Sequence, residues 1–360
     1  MKYSLLTRLL AAPLFALFAS AAPGTAASAP IKPRVVRWVV AHARDDKSYD
    51  SLLDGFAKSV AEKSGGRLKI VFADPGAENR RHDLEAPEAA YKDISAGKAD
   101  MGQIDVDLLG AAVIESPFLF RSYEHAEAVW RGPAGDALLA KIGPATGGTM
   151  RGLAFSYSGG YRIMVGGVAV RGADGFKGVK IRDHGSAADL FRALGSEAVR
   201  IPAAEMPEDS PIALTATGKI GLEETEVNRF AYFAEKFPAV AKKIKYANLT
   251  RHSMLVTSMI VNERFYSALD APLRSLLAEQ VRALAVAERR LSVNLAARNL
   301  EKLKAAGIEV VSMPEAEARR LAALALAREK LPAADAETVA AVRAVKDLDA
   351  PGLWVASRGN

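Results

Sequence analysis

Residues 48–72 read SYDSLLDGFAKSVAEKSGGRLKIVF, and the switch of pattern inside this stretch sets the fold class. Leu52, Leu53, Phe56, Val60 and Ala61 recur at helical spacing, which makes one apolar helix face. Gly65-Gly66 stops that helix, because glycine takes the left-handed conformation of a helix end without a Cβ penalty. Residues 68–72 follow as a strand, closed by Pro75-Gly76. Upstream, residues 37–41 (RWVVA) read as a buried first strand. Downstream, residues 86–95 read as a helix with Pro87 in its first turn, and residues 99–104 as a third strand. Strand and helix alternate, which argues an α/β fold with a largely parallel sheet.

The alternation continues outward. Residues 124–130 and 136–142 are predicted helices; 151–156, 163–170 and 178–181 are predicted strands. A helix is expected over 186–194, a strand over 198–201, and a long apolar strand over 255–261 near the middle of the core. The segment 156–160 (SYSGG) reads as a polar turn between two strands. It lacks the glycine two residues before either serine that a nucleophile elbow carries. One helical run covers about 272–306, with Pro272 at its start and Gly307 past its end. Its stripe of Leu273, Leu276, Leu277, Val281, Leu284, Leu291, Leu295, Leu300 and Leu303 would run about 50 Å at 1.5 Å per residue. That is longer than one small domain, so the helix is expected to brace two; the alternative is a pair of helices broken near Arg289-Arg290. Residues 308–311 read as a short strand, and an alanine-rich helical tail starts at Glu315.

Composition narrows the function. The chain has 360 residues, half of them hydrophobic and a quarter charged, with no cysteine. That length suggests two domains, each able to bury a core. Disulfides, thiolate metal sites and a cysteine nucleophile are excluded. Residues 1–29 have a basic start at Lys2 and Arg8, an apolar run over 9–18 and small residues after it, the pattern of a secretory signal peptide, with cleavage after Ala21 or Ala27. A retained anchor is the alternative, but the apolar run is short of the roughly 20 residues that span a bilayer. Lys+Arg number 48 and Asp+Glu 42, and losing Lys2 and Arg8 leaves 46 against 42. The basic pairs Arg80-Arg81 and Arg289-Arg290 read as solvated surface, not as a nucleic-acid face. His42, His82, His125, His184 and His252 are isolated. With no His-Glu-x-x-His pair, phosphate loop or dinucleotide fingerprint, no metal, cofactor or enzyme chemistry is expected.

Several segments together resemble one family, the DctP-like solute-binding proteins of tripartite ATP-independent periplasmic (TRAP) transporters. They are residues 56–68 (FAKSVAEKSGGRL), 97–102 (GKADMG), 116–131 (SPFLFRSYEHAEAVWR), 160–162 (GYR), 176–182 (FKGVKIR) and 217–224 (TGKIGLEE). The resemblance covers about residues 35–325. It implies a two-lobed periplasmic binding protein fold, type II-like, that closes on a small organic acid and docks on TRAP permease membrane subunits, as a monomer in the periplasm. The implied layout is a signal peptide over 1–29, one lobe over 30–158 plus about 251–285, and a second lobe over 159–250 plus about 286–325. A C-terminal helical extension covers 326–360. A periplasmic sensor on the same fold is the alternative, and an enzyme on a two-lobed scaffold a more distant one.

Arg182 ends a predicted strand, where clefts of α/β sheets open, and a guanidinium grips a carboxylate with two parallel bonds. The resemblance places the ligand carboxylate on Arg182, with Arg162 as a second arginine beside it. Asp105 and Gln103 would meet ligand hydroxyl or amino groups; a solvated loop carboxylate is the other reading of Asp105. Thr225 stands where relatives have Asn, and Phe118 reads as packing. Three departures surround the expected pocket: Asp183-His184 after Arg182, the run Gly221-Leu222-Glu223-Glu224, and residues 208–211 (EDSP). They suggest a ligand that carries an amino group met by Asp105 or Glu224.

Overall fold

The computed structural model describes residues 33–39, 47–73, 86–182, 187–201 and 212–348. The expected signal peptide, Pro75-Gly76, Arg80-Arg81, Asp183-His184 and residues 208–211 lie outside the described residues. β1 (Arg34–Val39), β2 (Leu68–Ala73) and β3 (Met101–Asp105) alternate with helices Lys47–Lys63 and Ala86–Ser95. β1 pairs parallel with both β2 and β3, the arrangement that helical crossovers permit. β4 (Met150–Gly166), β5 (Lys180–Arg182), β6 (Glu197–Val199), β7 (Leu222–Glu226), β8 (Tyr246–Leu249), β9 (Met254–Asn262) and β10 (Glu309–Ser312) follow. The order is β2-β1-β3-β9-β4-β7-β5-β6, with β8 joining β4 to β10.

The sheet is mixed: among the described residues five strand pairings are parallel and four antiparallel. β9 runs antiparallel to β3 and β4, and β4 antiparallel to β7 and β8. β4 carries the chain from one half of the sheet to the other and β9 brings it back, so the two must oppose each other. The expected pair of strands with a turn over 156–160 is one strand, β4, with a bulge. Tyr157 faces Val256 and Tyr161 faces Met254, four steps on β4 against two on β9. The surplus is accommodated by Gly159 and Gly160 at φ of +81° and +78°, a region that side chains disfavour. A Cβ on Gly159 would stand 1.6 Å from Glu226 Oε2, and one on Gly160 2.3 Å from the Tyr123 hydroxyl. Past the bulge β4 changes partner, Arg162 facing Glu226 on β7.

The apolar core divides with the sheet. Trp38, Phe56, Met101 and Leu277 pack on one face of the β1–β3 half, and Ile104, Leu109, Tyr157 and Ile260 on the other. Ile163, Phe230, Ala247 and Leu303 form a cluster in the β7–β8 half, and Phe176, Ile181, Phe191 and Leu222 another. This is a two-lobed α/β fold. Helix Ala271–Ala305 runs 35 residues without a break, capped by Asp270, whose side chain accepts from Leu273 N. Leu277, Val281 and Ala285 belong to the first lobe's core, and Ala296 and Leu303 to the second's, so the helix braces both. The expectation that Arg289-Arg290 is solvated surface fails for Arg289, which is 2% exposed. Its Nε and Nη2 each donate to Glu127 at 2.8 Å, and Nη1 donates to the Phe155 carbonyl.

After β10, helices Glu315–Arg328 and Ala333–Ala344 form the tail. Val339 and Val342 are buried in the first lobe's core, and the Val342 carbonyl stands 3.1 Å from His125 Nε2. Among the described residues no helix is long and apolar enough to cross a membrane.

Candidate functional site

β5 and β7 run parallel, and their carboxyl ends meet the carboxyl end of β3 around a cavity of about 60 Å³. Strand ends of this kind are where α/β sheets present ligand sites. Arg182 is the last residue of β5. Arg162 follows the β4 bulge, Asp105 ends β3, and β7 supplies Glu223, Glu224, Thr225 and Glu226 in succession. Every residue of β7 is buried. Helix Val227–Lys236 starts at the same place, with Glu226 as its cap: the carboxylate accepts from Asn228 N at 2.6 Å and Arg229 N at 2.7 Å.

The charged side chains are tied to one another across the cavity. Arg182 Nη1 donates to Glu223 Oε1 at 3.0 Å, and its Nε and Nη2 both reach the Ile201 carbonyl at 3.3 Å. Arg162 Nη2 donates to Glu115 Oε2 at 2.8 Å, while Glu115 Oε1 accepts from Val256 N at 3.0 Å. Glu224 Oε1 stands 2.8 Å from His252 Nε2 and 3.8 Å from Arg162 Nε. Thr250 Oγ1 holds the far side of the same imidazole, 2.7 Å from Nδ1. Burial pushes the carboxyls of Asp105, Glu115, Glu223 and Glu226 up to about 7 against the pull of nearby arginines, because a desolvated carboxylate is costly. Burial lowers Arg229 for the same reason.

Of the residues singled out in the sequence, Arg162, Arg182, Asp105, Glu224 and Thr225 share this cavity. Gln103 is not brought to it: its amide donates to Thr257 Oγ1 at 2.8 Å and to Glu288 Oε1 at 2.9 Å, on the long helix. Phe118 packs against the second lobe's core in a left-handed backbone conformation, φ 56°, its N–H donating to the His252 carbonyl at 2.6 Å. Asp107, Glu226, Arg229, Phe233 and Leu255 also line the cavity and were not singled out. One signal was available: three carboxylates within the five residues of β7 are unusual, since strands are depleted in acidic residues. Among the described residues no three His, Asp or Glu side chains converge to hold a metal ion.

Comparison with known proteins identifies the family and the fold. The family described as bacterial extracellular solute-binding protein, family 7 (DctP) matches residues 40–329. A solute-binding protein of Verminephrobacter eiseniae is 25% identical over 274 residues, 76% of this chain and 78% of that protein. The 2,3-diketo-L-gulonate-binding periplasmic protein YiaO of Escherichia coli is 24% identical over 265 residues, 71% of this chain and 75% of that protein. Among solved structures, a TRAP periplasmic solute-binding protein from Xanthobacter autotrophicus with bound β-D-galacturonate superposes with a TM-score of 0.69. Its identity is 20%, covering 86% of this chain and all of that one.

Proposed function

The chain belongs to the DctP family, the bacterial extracellular solute-binding proteins of family 7, and from that premise we propose that it captures a small organic acid in the periplasm and delivers it to the membrane subunits of a TRAP-type permease. The observation that carries the reading is the cavity at the ends of β3, β5 and β7, with the guanidinium groups of Arg162, Arg182 and Arg229 on its wall. Guanidinium groups from β4, from the end of β5 and from the helix after β7 that converge on one cavity are the chemistry of carboxylate capture. The Escherichia coli relative and the Xanthobacter structure bind acids of the sugar-acid class, which supports the same class here. Arg162 and Arg182 supply the positive field, and Thr225, Asp105 and Glu224 meet the polar groups of the ligand. The protein acts as a carrier and not as an enzyme.

Most of the side chains that line the cavity are buried, so a sugar acid reaches them as the lobes part. The lobes take residues 30–158 plus about 251–285, and 159–250 plus about 286–325. The change of partner in β4 beyond Tyr157 and the change of core along helix Ala271–Ala305 support these limits. Residues 1–29 direct export and are removed, and the mature protein works as a monomer. The test is a thermal-shift screen of residues 30–360 against dicarboxylates, keto acids, sugar acids, aromatic acids and amino acids. A ligand at a hundredfold its dissociation constant stabilises by about 2.7 kcal/mol. A raised melting temperature with an acid supports capture; no shift with any acid overturns it.

A further inference from the structure

Arg162, Arg182 and Arg229, all on the wall of the cleft, are held in different ways. Every nitrogen of the Arg182 guanidinium is engaged by the chain itself: Nε and Nη2 share the Ile201 carbonyl at 3.3 Å, and Nη1 donates to Glu223 Oε1 at 3.0 Å. Arg162 is bound to Glu115 through Nη2 at 2.8 Å, and its buried Nε is without an acceptor. Arg229 differs from both. Among the described residues its half-buried guanidinium makes no hydrogen bond and no ion pair, yet it lines the same cavity. Its main chain, by contrast, is fixed. Its N–H donates to Glu226 Oε1 at 2.7 Å. Asn228 before it is tied to the long helix twice, Nδ2 donating to the Ser292 carbonyl and Oδ1 accepting from Asn299 Nδ2, both at 3.0 Å. Phe230 after it is fully buried. Glu226, the carboxylate nearest in sequence, has both oxygens on backbone N–H groups.

We infer that Arg229 anchors the carboxylate of the ligand and is the residue by which the cleft selects an acid over an uncharged analogue. This rests on the capture reading and moves within it the contact that the sequence pointed to at Arg182. A cation on a rigid backbone with its donors unbound is preorganised, so a ligand carboxylate forks onto it without first breaking a bond of the protein. On Arg182 the same carboxylate competes with Glu223 and with the Ile201 carbonyl for the guanidinium. A displaced Glu223 would be a buried carboxylate stripped of its cation, which is costly. At Arg229 the balance is reversed. Burial disfavours its charge, no carboxylate among the described residues bonds to it, and an arriving carboxylate offsets that cost. Arg182 and Glu223 then serve as a fixed pair in the wall of the cleft, and Arg162 Nε offers a further donor to a polar group of the ligand. Phe233, one turn beyond Arg229 on the same helix face, also reaches the cavity and gives the anchored end an apolar flank.

The experiment is isothermal titration of the mature protein and its variants. Each acid that raises the melting temperature in the screen is titrated beside its amide, starting with D-glucuronate against D-glucuronamide. The parent is expected to bind the acid about tenfold tighter or more, since the amide cannot accept a charge-assisted fork. Arg229→Gln is expected to weaken the acid about tenfold or more and the amide by less than about threefold, so that the preference collapses. The melting temperature of the ligand-free variant is expected to match the parent's, because no bond of the folded chain is lost. Arg229→Lys returns the charge without the fork and is expected to recover part of the preference. Arg182→Gln combined with Glu223→Gln removes that pair without stranding either charge, and is expected to weaken the acid by less than Arg229→Gln does. An acid that binds Arg229→Gln as tightly as the parent, an equal loss for acid and amide, or a larger loss in the double variant overturns the inference and leaves carboxylate capture standing. Failure of every acid to bind the parent overturns the capture reading and this inference with it.

Discussion

Glu127 is fully buried between two arginines, accepting from Arg289 on the long helix and from Arg131 one helical turn away. Its carboxyl is held below the usual range, burial being outweighed by those two bonds. Removing one member of a buried pair strands the other charge, which costs about 3–5 kcal/mol. Glu127→Ala is therefore expected to lower the denaturant midpoint by that equivalent, whereas Glu62→Ala, which breaks the exposed pair with Lys58, is expected to leave it unchanged. Gly159→Ala is a second residue-scale test. The added methyl would meet Glu226 Oε2 at 1.6 Å on a backbone at φ +81°, so the bulge or the helix cap must move. The expected loss is about 2 kcal/mol or more, strain and a weakened cap combined, read as a lower unfolding midpoint. At this scale the sequence pointed to Arg162, Arg182, Asp105, Thr225, Glu224 and Gln103; the first five line the cavity, and Gln103 bonds to Thr257 and Glu288 instead. What it did not convey was their pairing. Whether a guanidinium faces a ligand or a carboxylate of its own chain depends on register across β4, β5 and β7, which no single segment encodes.

Helix Ala271–Ala305 and β4 are the elements that hold the two lobes together, and Ser292 joins them. Its hydroxyl accepts from the Gly159 N–H at the bulge, and its carbonyl accepts from Asn228 Nδ2 at 3.0 Å. Ser292→Ala leaves a buried backbone donor without an acceptor, a loss of about 1–3 kcal/mol, expected as a lower unfolding midpoint and as faster hydrogen exchange at Gly159. Unchanged exchange there would mean that the bulge is held by its β9 pairing alone. The ends of this helix were legible from Pro272 and Gly307; a break near Arg289-Arg290, where the apolar stripe skips from Leu284 to Leu291, was left open by the sequence, and the helix runs through it. The continuity of β4 was not legible either. Ser158, Gly159 and Gly160 have the local chemistry of a turn, and the pairing of Tyr157 with Val256 and of Tyr161 with Met254 on either side keeps them within a strand. β7 was missed for a related reason: its carboxylates argue against a strand locally, while Arg182 and His252 receive two of them in the folded chain.

For the molecule as a whole, these buried carboxylates predict an unusual dependence of stability on pH. Burial raises Asp105 from 3.8, and Glu115, Glu223, Glu226 and Glu288 from 4.5, to about 7 in each case. Between those limits the folded chain binds more protons than the unfolded one, so the free energy of unfolding falls as pH rises. The contribution of these groups is complete below the unfolded values and is lost above about 7. Glu127, Glu263 and Asp270 act in the other sense, since hydrogen bonds and ion pairs hold their carboxyls below the usual range. Their contribution is present above the unfolded values and is lost as the solution becomes more acidic. The two sets together place the maximum of stability near about pH 5, below the usual range for globular proteins. Calorimetry of the ligand-free mature protein is expected to show a melting temperature that declines from about pH 5.5 to about pH 8; a rise over that interval would mean that the arginines outweigh burial and keep the cleft ionised.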